Sequence, residues 1–140
     1  NLSPSHYRDV DKMLRRFCTG KRIVEVGCRG GGFLKILLDH GAVKVGGNTD
    51  SRRAERTSRL LGPRNVVVVS KGEDAGSSSE LQQIAPDVIL SLNYFDAERW
   101  RARPPPKDKF FASLSSMATP ETRIYVVRLF MTGVQAAHFF

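Results

Sequence analysis

The chain has 140 residues, 22 basic and 14 acidic, for a net charge of +8. At 41% hydrophobic and 26% charged it has a globular balance that excludes global disorder. No apolar run approaches the roughly 20 residues of a membrane span. One domain fits this length and two do not. The polar, charged stretch from Asn1 to Leu14 has no leader pattern, so the expectation is a cytoplasmic protein with no membrane attachment. The positive balance favours polyanionic partners, nucleic acid before an anionic membrane surface. Basic residues gather at Arg15, Arg16, Lys21 and Arg22, at Arg52, Arg53 and Arg56, and at Arg99, Arg101, Arg103, Lys107 and Lys109. Arg15, Arg16, Arg52, Arg53, Arg101 and Lys107 are the candidate nucleic-acid contacts, against the plainer reading of solvated helix faces. Cys18 and Cys28 lack CxxC spacing, and His6, His40 and His138 are far apart, so no metal site is expected.

In chain order, Ser3-Pro4 opens a helix to about Phe17, with Met13, Leu14 and Phe17 on one face. Arg22 to Val26 is the first strand, and Gly27 to Gly32 a glycine-rich turn. Phe33 to His40 follows with helical spacing through Phe33, Ile36 and Leu37, and Gly41 ends it. Ala42 to Val45 reads as a second strand ending in Gly46-Gly47-Asn48-Thr49-Asp50, and Ser51 to Leu61 as a helix stopped by Gly62-Pro63. Four valines, Val66 to Val69, predict a strand buried on both faces. A polar loop from Gly72 to Ser79 precedes a short helix, Glu80 to Ala85, and a fourth strand, Asp87 to Leu92. Helices are expected over Ala97 to Arg103 and Lys109 to Met117, and a fifth strand over Arg123 to Phe130. This alternation predicts an α/β fold: a Rossmann-like, doubly wound, mainly parallel sheet flanked by helices.

In such sheets ligands bind at the carboxyl ends of the strands. The run Glu25-Val26-Gly27-Cys28-Arg29-Gly30-Gly31-Gly32-Phe33 falls there. A dinucleotide fingerprint needs glycine at position 29, which is Arg29, so that pattern fails. The run is instead acid-x-Gly-x-x-x-Gly, through Glu25, Gly27 and Gly31, which resembles the first motif of the methyltransferases that use S-adenosylmethionine (SAM). Glu25, Gly27, Cys28, Gly30, Gly31, Gly32 and Phe33 are therefore cofactor candidates, and a Cβ at Gly31 is expected to point at the ligand. Thr49 and Asp50 close the second strand, where Rossmann-like sites hold ribose hydroxyls; the plain alternative is that Asp50 caps the next helix. Glu73 and Asp74 follow the valine strand, where methyltransferases place a carboxylate for the adenine amino group.

Together with Lys44-Val45-Gly46-Gly47-Asn48-Thr49 and Val69-Ser70-Lys71-Gly72-Glu73-Asp74, these segments resemble the FtsJ-like RNA ribose methyltransferases. Within that group they are most similar to the cap methyltransferases of flaviviruses and similar RNA viruses. The resemblance spans about Lys12 to Phe130. It implies SAM as cofactor and RNA, capped RNA included, as partner. It divides the single domain into an N-terminal helix (1–20), a SAM-binding half (21–103) and an incomplete C-terminal half (104–140), truncated after the fifth strand and part of a larger polypeptide or assembly. The family activates a ribose 2′-hydroxyl with a Lys-Asp-Lys-Glu tetrad. Here Leu92 stands at the Asp and Arg128 at the second Lys; Lys12 is the candidate for the first, and the Glu would lie beyond Phe140. Arginine stays protonated and is no general base. Lys12 and Arg128 are the catalytic candidates that remain. Three functions compete: an RNA methyltransferase acting on cap guanine N7 or another base rather than on ribose, a degenerate domain that binds RNA or protein without catalysis, and a non-methylating Rossmann-like enzyme.

Overall fold

The alternating pattern folds, in the computed structural model, into one six-stranded sheet with helices on both faces. The structure describes residues 4–70, 75–92, 107–128 and 137–138. Helix α1 (Pro4–Cys18) leads into β1 (Arg22–Val26), α2 (Gly32–Asp39), β2 (Lys44–Asn48), α3 (Ser51–Leu61) and β3 (Val66–Val69). A 3-10 turn (Ala75–Ser77) and α4 (Ser79–Gln82) precede β4 (Val88–Ser91), α5 (Lys107–Met117), β5 (Arg123–Arg128) and β6 (Ala137–His138). The strand order is β3-β2-β1-β4-β5-β6; all pairs are parallel except β5 with β6. The antiparallel β6 lies beyond the fifth strand with which the sequence reading ends.

Period-two alternation in β1 feeds two cores. Ile23 joins Cys18 of α1, Leu34 and Leu37 of α2, Leu61 of α3, and Val45, Val88 and Leu90 of the sheet. Val24 and Val26 face the other way, onto Ala75, Leu81, Ile84, Ile89, Phe110, Leu114 and Met117. Helices α1 to α3 thus cover one face, and α4 and α5 the other.

Several expectations change. Met13 is 61% exposed and Ile36 40%; α1 faces inward through Leu14, Phe17 and Cys18, and α2 through Leu34 and Leu37. Strand β2 contains Gly46 and Gly47 rather than stopping before them. A Cβ on Gly46 would strike Ile84, and one on Gly47 would meet Cys28 Cβ at 2.7 Å. The two glycines make room for packing on opposite faces of the strand and are not there to turn the chain. The valines of β3 form a sheet margin and are half-buried, not sandwiched. The expected polar loop before α4 holds the buried Ala75 and Gly76. His40 caps the C-terminus of α2 and ties it to α1, with Nε2 3.0 Å from Asp11 Oδ1 and Nδ1 2.7 Å from the Ile36 carbonyl. The helix expected over Ala97 to Arg103 lies outside the described residues.

Gly76 tests the second face. Its N–H donates to Ser113 Oγ at 2.7 Å, and a Cβ there would run into the Ser113 backbone of α5, which cannot rotate away. Gly76→Ala should cost about 1–3 kcal/mol in chemical denaturation, the range for an overpacked core. An unchanged midpoint would show that α5 does not press on this turn.

Candidate functional site

The β1–α2 turn is built from backbone conformations that side chains resist. Gly27, Arg29 and Gly31 have φ of 79°, 49° and 76°, and the Gly31 N–H donates to the Cys28 carbonyl at 2.9 Å. Asn48, fully buried at the end of β2, holds this turn twice. Its Oδ1 accepts from the Gly27 N–H at 2.8 Å and its backbone carbonyl from the Cys28 N–H at 3.0 Å. From α3, the buried Thr57 hydroxyl donates to the Arg29 carbonyl at 3.4 Å.

The glycines of the turn divide into two kinds. A Cβ on Gly31 would collide with Thr57 Cγ2, so Gly31 is where α3 packs on the turn, and the expectation that it faces a ligand is corrected. Gly30 and Gly32 have nothing within 4 Å of the position a Cβ would take. They form the open side.

Beneath the turn, Glu25 is 3% exposed and its Oε2 has no hydrogen-bond partner. Burial pushes its carboxyl up to about 7, against the opposing charge of Arg29. Ser91, fully buried at the end of β4, also has an unpartnered hydroxyl. Strands β1 and β4 are neighbours where the strand order changes direction, so both orphaned groups sit at the switch point where such sheets bind ligands. Cys28 is buried, and burial first, then the Glu25 charge, raises its thiol to about 12, so it is no nucleophile at neutral pH. Phe33 is half-buried against the α1–α3 core.

At the end of β2, Thr49 is buried and donates its N–H to the Val69 carbonyl at 3.1 Å. Asp50 caps α3: its Oδ1 accepts from the Arg53 N–H at 3.0 Å, and its Oδ2 lies 3.3 Å from Arg53 Nε. The carboxylate remains about half exposed at the strand end. Glu73, Asp74 and Arg101 lie outside the described residues. Only the backbones of Lys107, at the start of α5, and Arg128, at the end of β5, are described. Lys12 is exposed on α1 and is not part of this cluster; Leu92 packs against the apolar core. Of the surface arginines, Arg15 pairs with Asp11 at 3.0 Å and Arg53 with Asp50. Arg16 on α1 and Arg52 on α3 are exposed with no acid partner among the described residues, as is Arg56, one turn beyond Arg52. Sequence reasoning missed Asn48, Thr57 and Ser91. A buried-strand Asn after two glycines was the available signal; for Thr57 and Ser91 there was none.

Among the described residues no three His, Cys, Asp or Glu gather as a metal site, and no helix is long and apolar enough to cross a membrane. No protein-family profile and no curated protein matches the sequence. Solved structures do. A SAM-dependent methyltransferase from Geobacter sulfurreducens, crystallised with S-adenosyl-L-homocysteine, aligns with TM-score 0.58 and 14% identity over 91% of this chain and 49% of its own. The fold is that of the SAM-dependent methyltransferases. One from Aquifex aeolicus gives TM-score 0.60 and 18% identity over 91% of this chain and 73% of its own. A structure from Pyrococcus horikoshii, provisionally named an RNA methyltransferase, gives 0.60 and 15% over 86% and 60%. The chain spans about half the length of several of the solved structures it matches.

The buried carboxyl makes stability depend on pH. Glu25 is raised from its ordinary 4.5 to about 7, so the folded chain holds this proton more tightly than the unfolded one. Its contribution is most favourable below the unfolded value and is lost as pH rises through about 7. Between pH 4 and pH 8 the chain should lose on the order of 3 kcal/mol relative to Glu25→Gln. Denaturation midpoints of the two proteins that move in parallel across this range would refute it.

Proposed function

We propose that this chain binds SAM at the carboxyl ends of β1, β2 and β4 and is the cofactor-binding part of an RNA methyltransferase. The observation that carries the reading is an open glycine turn following a buried carboxyl group, one oxygen of which has no hydrogen-bond partner. Gly30 and Gly32 leave space where side chains would stand, and Glu25 Oε2 waits for a donor. An ammonium group such as that of the cofactor's amino-acid end satisfies such an oxygen. Asp50 offers a half-exposed carboxylate to ribose hydroxyls, and Glu73 and Asp74 fill the adenine role implied by the motif run. When bound, the cofactor supplies a methyl group on a positively charged sulfur. The chain's own residues bind and orient it. Glu25 fixes one end, and the turn held by Asn48 and Thr57 sets the floor.

For the acceptor, the net charge of +8 and the resemblance to FtsJ-like enzymes support RNA. The flavivirus-type cap enzymes are the nearest pattern. A base nitrogen, cap guanine N7 included, is already nucleophilic, and positioning supplies most of its catalysis. A ribose hydroxyl needs a base. Leu92 lies packed among apolar side chains and Lys12 stands exposed on α1, so neither serves one here. The same two placements favour a second reading, a degenerate domain that binds RNA or protein and transfers nothing.

Calorimetric titration with S-adenosylhomocysteine tests cofactor binding. Gly30→Val should fold with an unchanged midpoint and weaken binding at least about ten-fold, because it fills ligand space. Gly31→Val should instead destabilise the fold through Thr57. Wild-type affinity in a folded Gly30→Val protein would place the ligand elsewhere.

RNA binding should run through phosphates touching Arg16, Arg52 and Arg56. With about three contacts, affinity should fall about forty-fold between roughly 50 and 200 mM salt. Labelled methyl groups should appear on a base and not on ribose after nuclease digestion. A flat salt response, or a 2′-O-methyl product, would reject the corresponding half of this reading.

A further inference from the structure

We propose that Asp11 and His40 form a proton-operated latch that docks helix α1 on α2, closed while the imidazole carries both of its protons and released when it loses one. Neither residue belongs to the candidate site.

The latch follows from what surrounds the ring. Nδ1 of His40 lies 2.7 Å from the Ile36 carbonyl, and Nε2 lies 3.0 Å from Asp11 Oδ1. Both partners are acceptors, since neither a carbonyl nor an ionised carboxylate has a proton to give. A neutral imidazole has one N–H and one lone pair, so either tautomer leaves a lone pair aimed at an oxygen. Only the imidazolium donates to both. The His40 side chain is 17% exposed, so water has little room to separate a mismatched pair. Its place at the end of α2, beside the last carbonyls of the helix, also favours a cation.

Asp11 is kept ready to accept. Its other oxygen takes Arg15 Nε at 3.0 Å, and this guanidinium, together with His40, holds the Asp11 carboxyl below its ordinary value. Asp11 is therefore charged across the range, roughly pH 5 to 8, in which an imidazole gains or loses its proton. Among the described residues, the other charged groups of the elements that meet there are Arg8 and Lys12 on α1, Lys21 in the α1–β1 turn, Lys35 and Asp39 on α2, and Arg64 before β3. The five cations are exposed, where water and salt screen them. Asp39 is taken by Lys35 at 2.6 Å and by Arg64 at 2.9 Å, which leaves Asp11 as the acid for His40.

Residues 4–10 of α1 are exposed; Asp11 is the first to be partly covered, and Phe17 and Cys18 pack into the core further along. The latch thus closes the docked part of the helix at its outer end. When Nε2 gives its proton to water, that end loses its hold and α1 opens from Asp11 inward.

The test is backbone hydrogen exchange, read by NMR as protection factors between roughly pH 5.5 and 8. It uses the full 140-residue chain carrying Glu25→Gln, which removes the buried carboxyl that titrates in the same window. Protection of the α1 amides from Lys12 to Cys18 should fall about three- to five-fold as pH rises, while that of β1 stays level. The fall should track the ring titration of His40 in the same samples. His40→Gln removes the proton, and Asp11→Asn supplies an amide that can accept from or donate to the ring, so each should flatten the response. His6→Gln, at the other histidine of α1, should leave it intact. Level α1 protection in the parent chain, or a fall that survives His40→Gln or Asp11→Asn, would make the contact an ordinary structural tie and overturn the latch.

Discussion

The site depends on the way Asn48 holds the turn that follows β1. One buried residue accepts from two successive N–H groups, Gly27 through its side chain and Cys28 through its backbone. Both donors would otherwise be unsatisfied at the end of a strand, at a cost comparable to a lost hydrogen bond each. Gly47, just before Asn48, has no Cβ and lets Cys28 come down onto β2. Thr57 closes the third side by packing under Gly31 and donating to Arg29. The turn is thus fixed from β2 and α3, and its remaining side, at Gly30 and Gly32, is open.

This division of labour explains the polarity of the site. The groups that shape the turn are satisfied by each other, whereas the groups left over at the strand ends, Glu25 Oε2 and Ser91 Oγ, are not. A fold that buries polar atoms ordinarily pairs them. The two orphans lie on the adjacent central strands β1 and β4, at the reversal of strand order. The fold is shared with SAM-dependent methyltransferases at identities where only the architecture is comparable, so the chemistry has to be argued from these residues.

Much of the architecture was legible because local signals agreed. β-Branched residues bounded β1, and Asp50 with Gly62-Pro63 bounded α3, so both elements fall where the sequence puts them. Glycine was the source of error. In β2 the glycine pair marks the expected strand end, but Gly46 and Gly47 lie inside the strand because α4 and the β1–α2 turn approach too closely for a Cβ. At Gly31 the requirement for glycine was recognised and its cause misplaced, since only coordinates tell a neighbouring helix from a ligand. The valines of β3 illustrate a different limit: composition reports a preference for burial and says nothing of whether the strand lies in the middle of the sheet or at its rim.

That rim position has a consequence for the molecule in solution. Among the described residues β3 ends the sheet, so one side of a four-valine strand offers backbone donors and acceptors to any other extended chain. Short, uncharged, β-branched segments of this kind are templates for intermolecular pairing. The sequence brackets the valines with Arg64 and Lys71, and the whole chain carries +8, so two copies approaching edge to edge repel. Charge of this kind acts as a gatekeeper, and screening weakens it. High ionic strength therefore weakens this charge barrier along the strand.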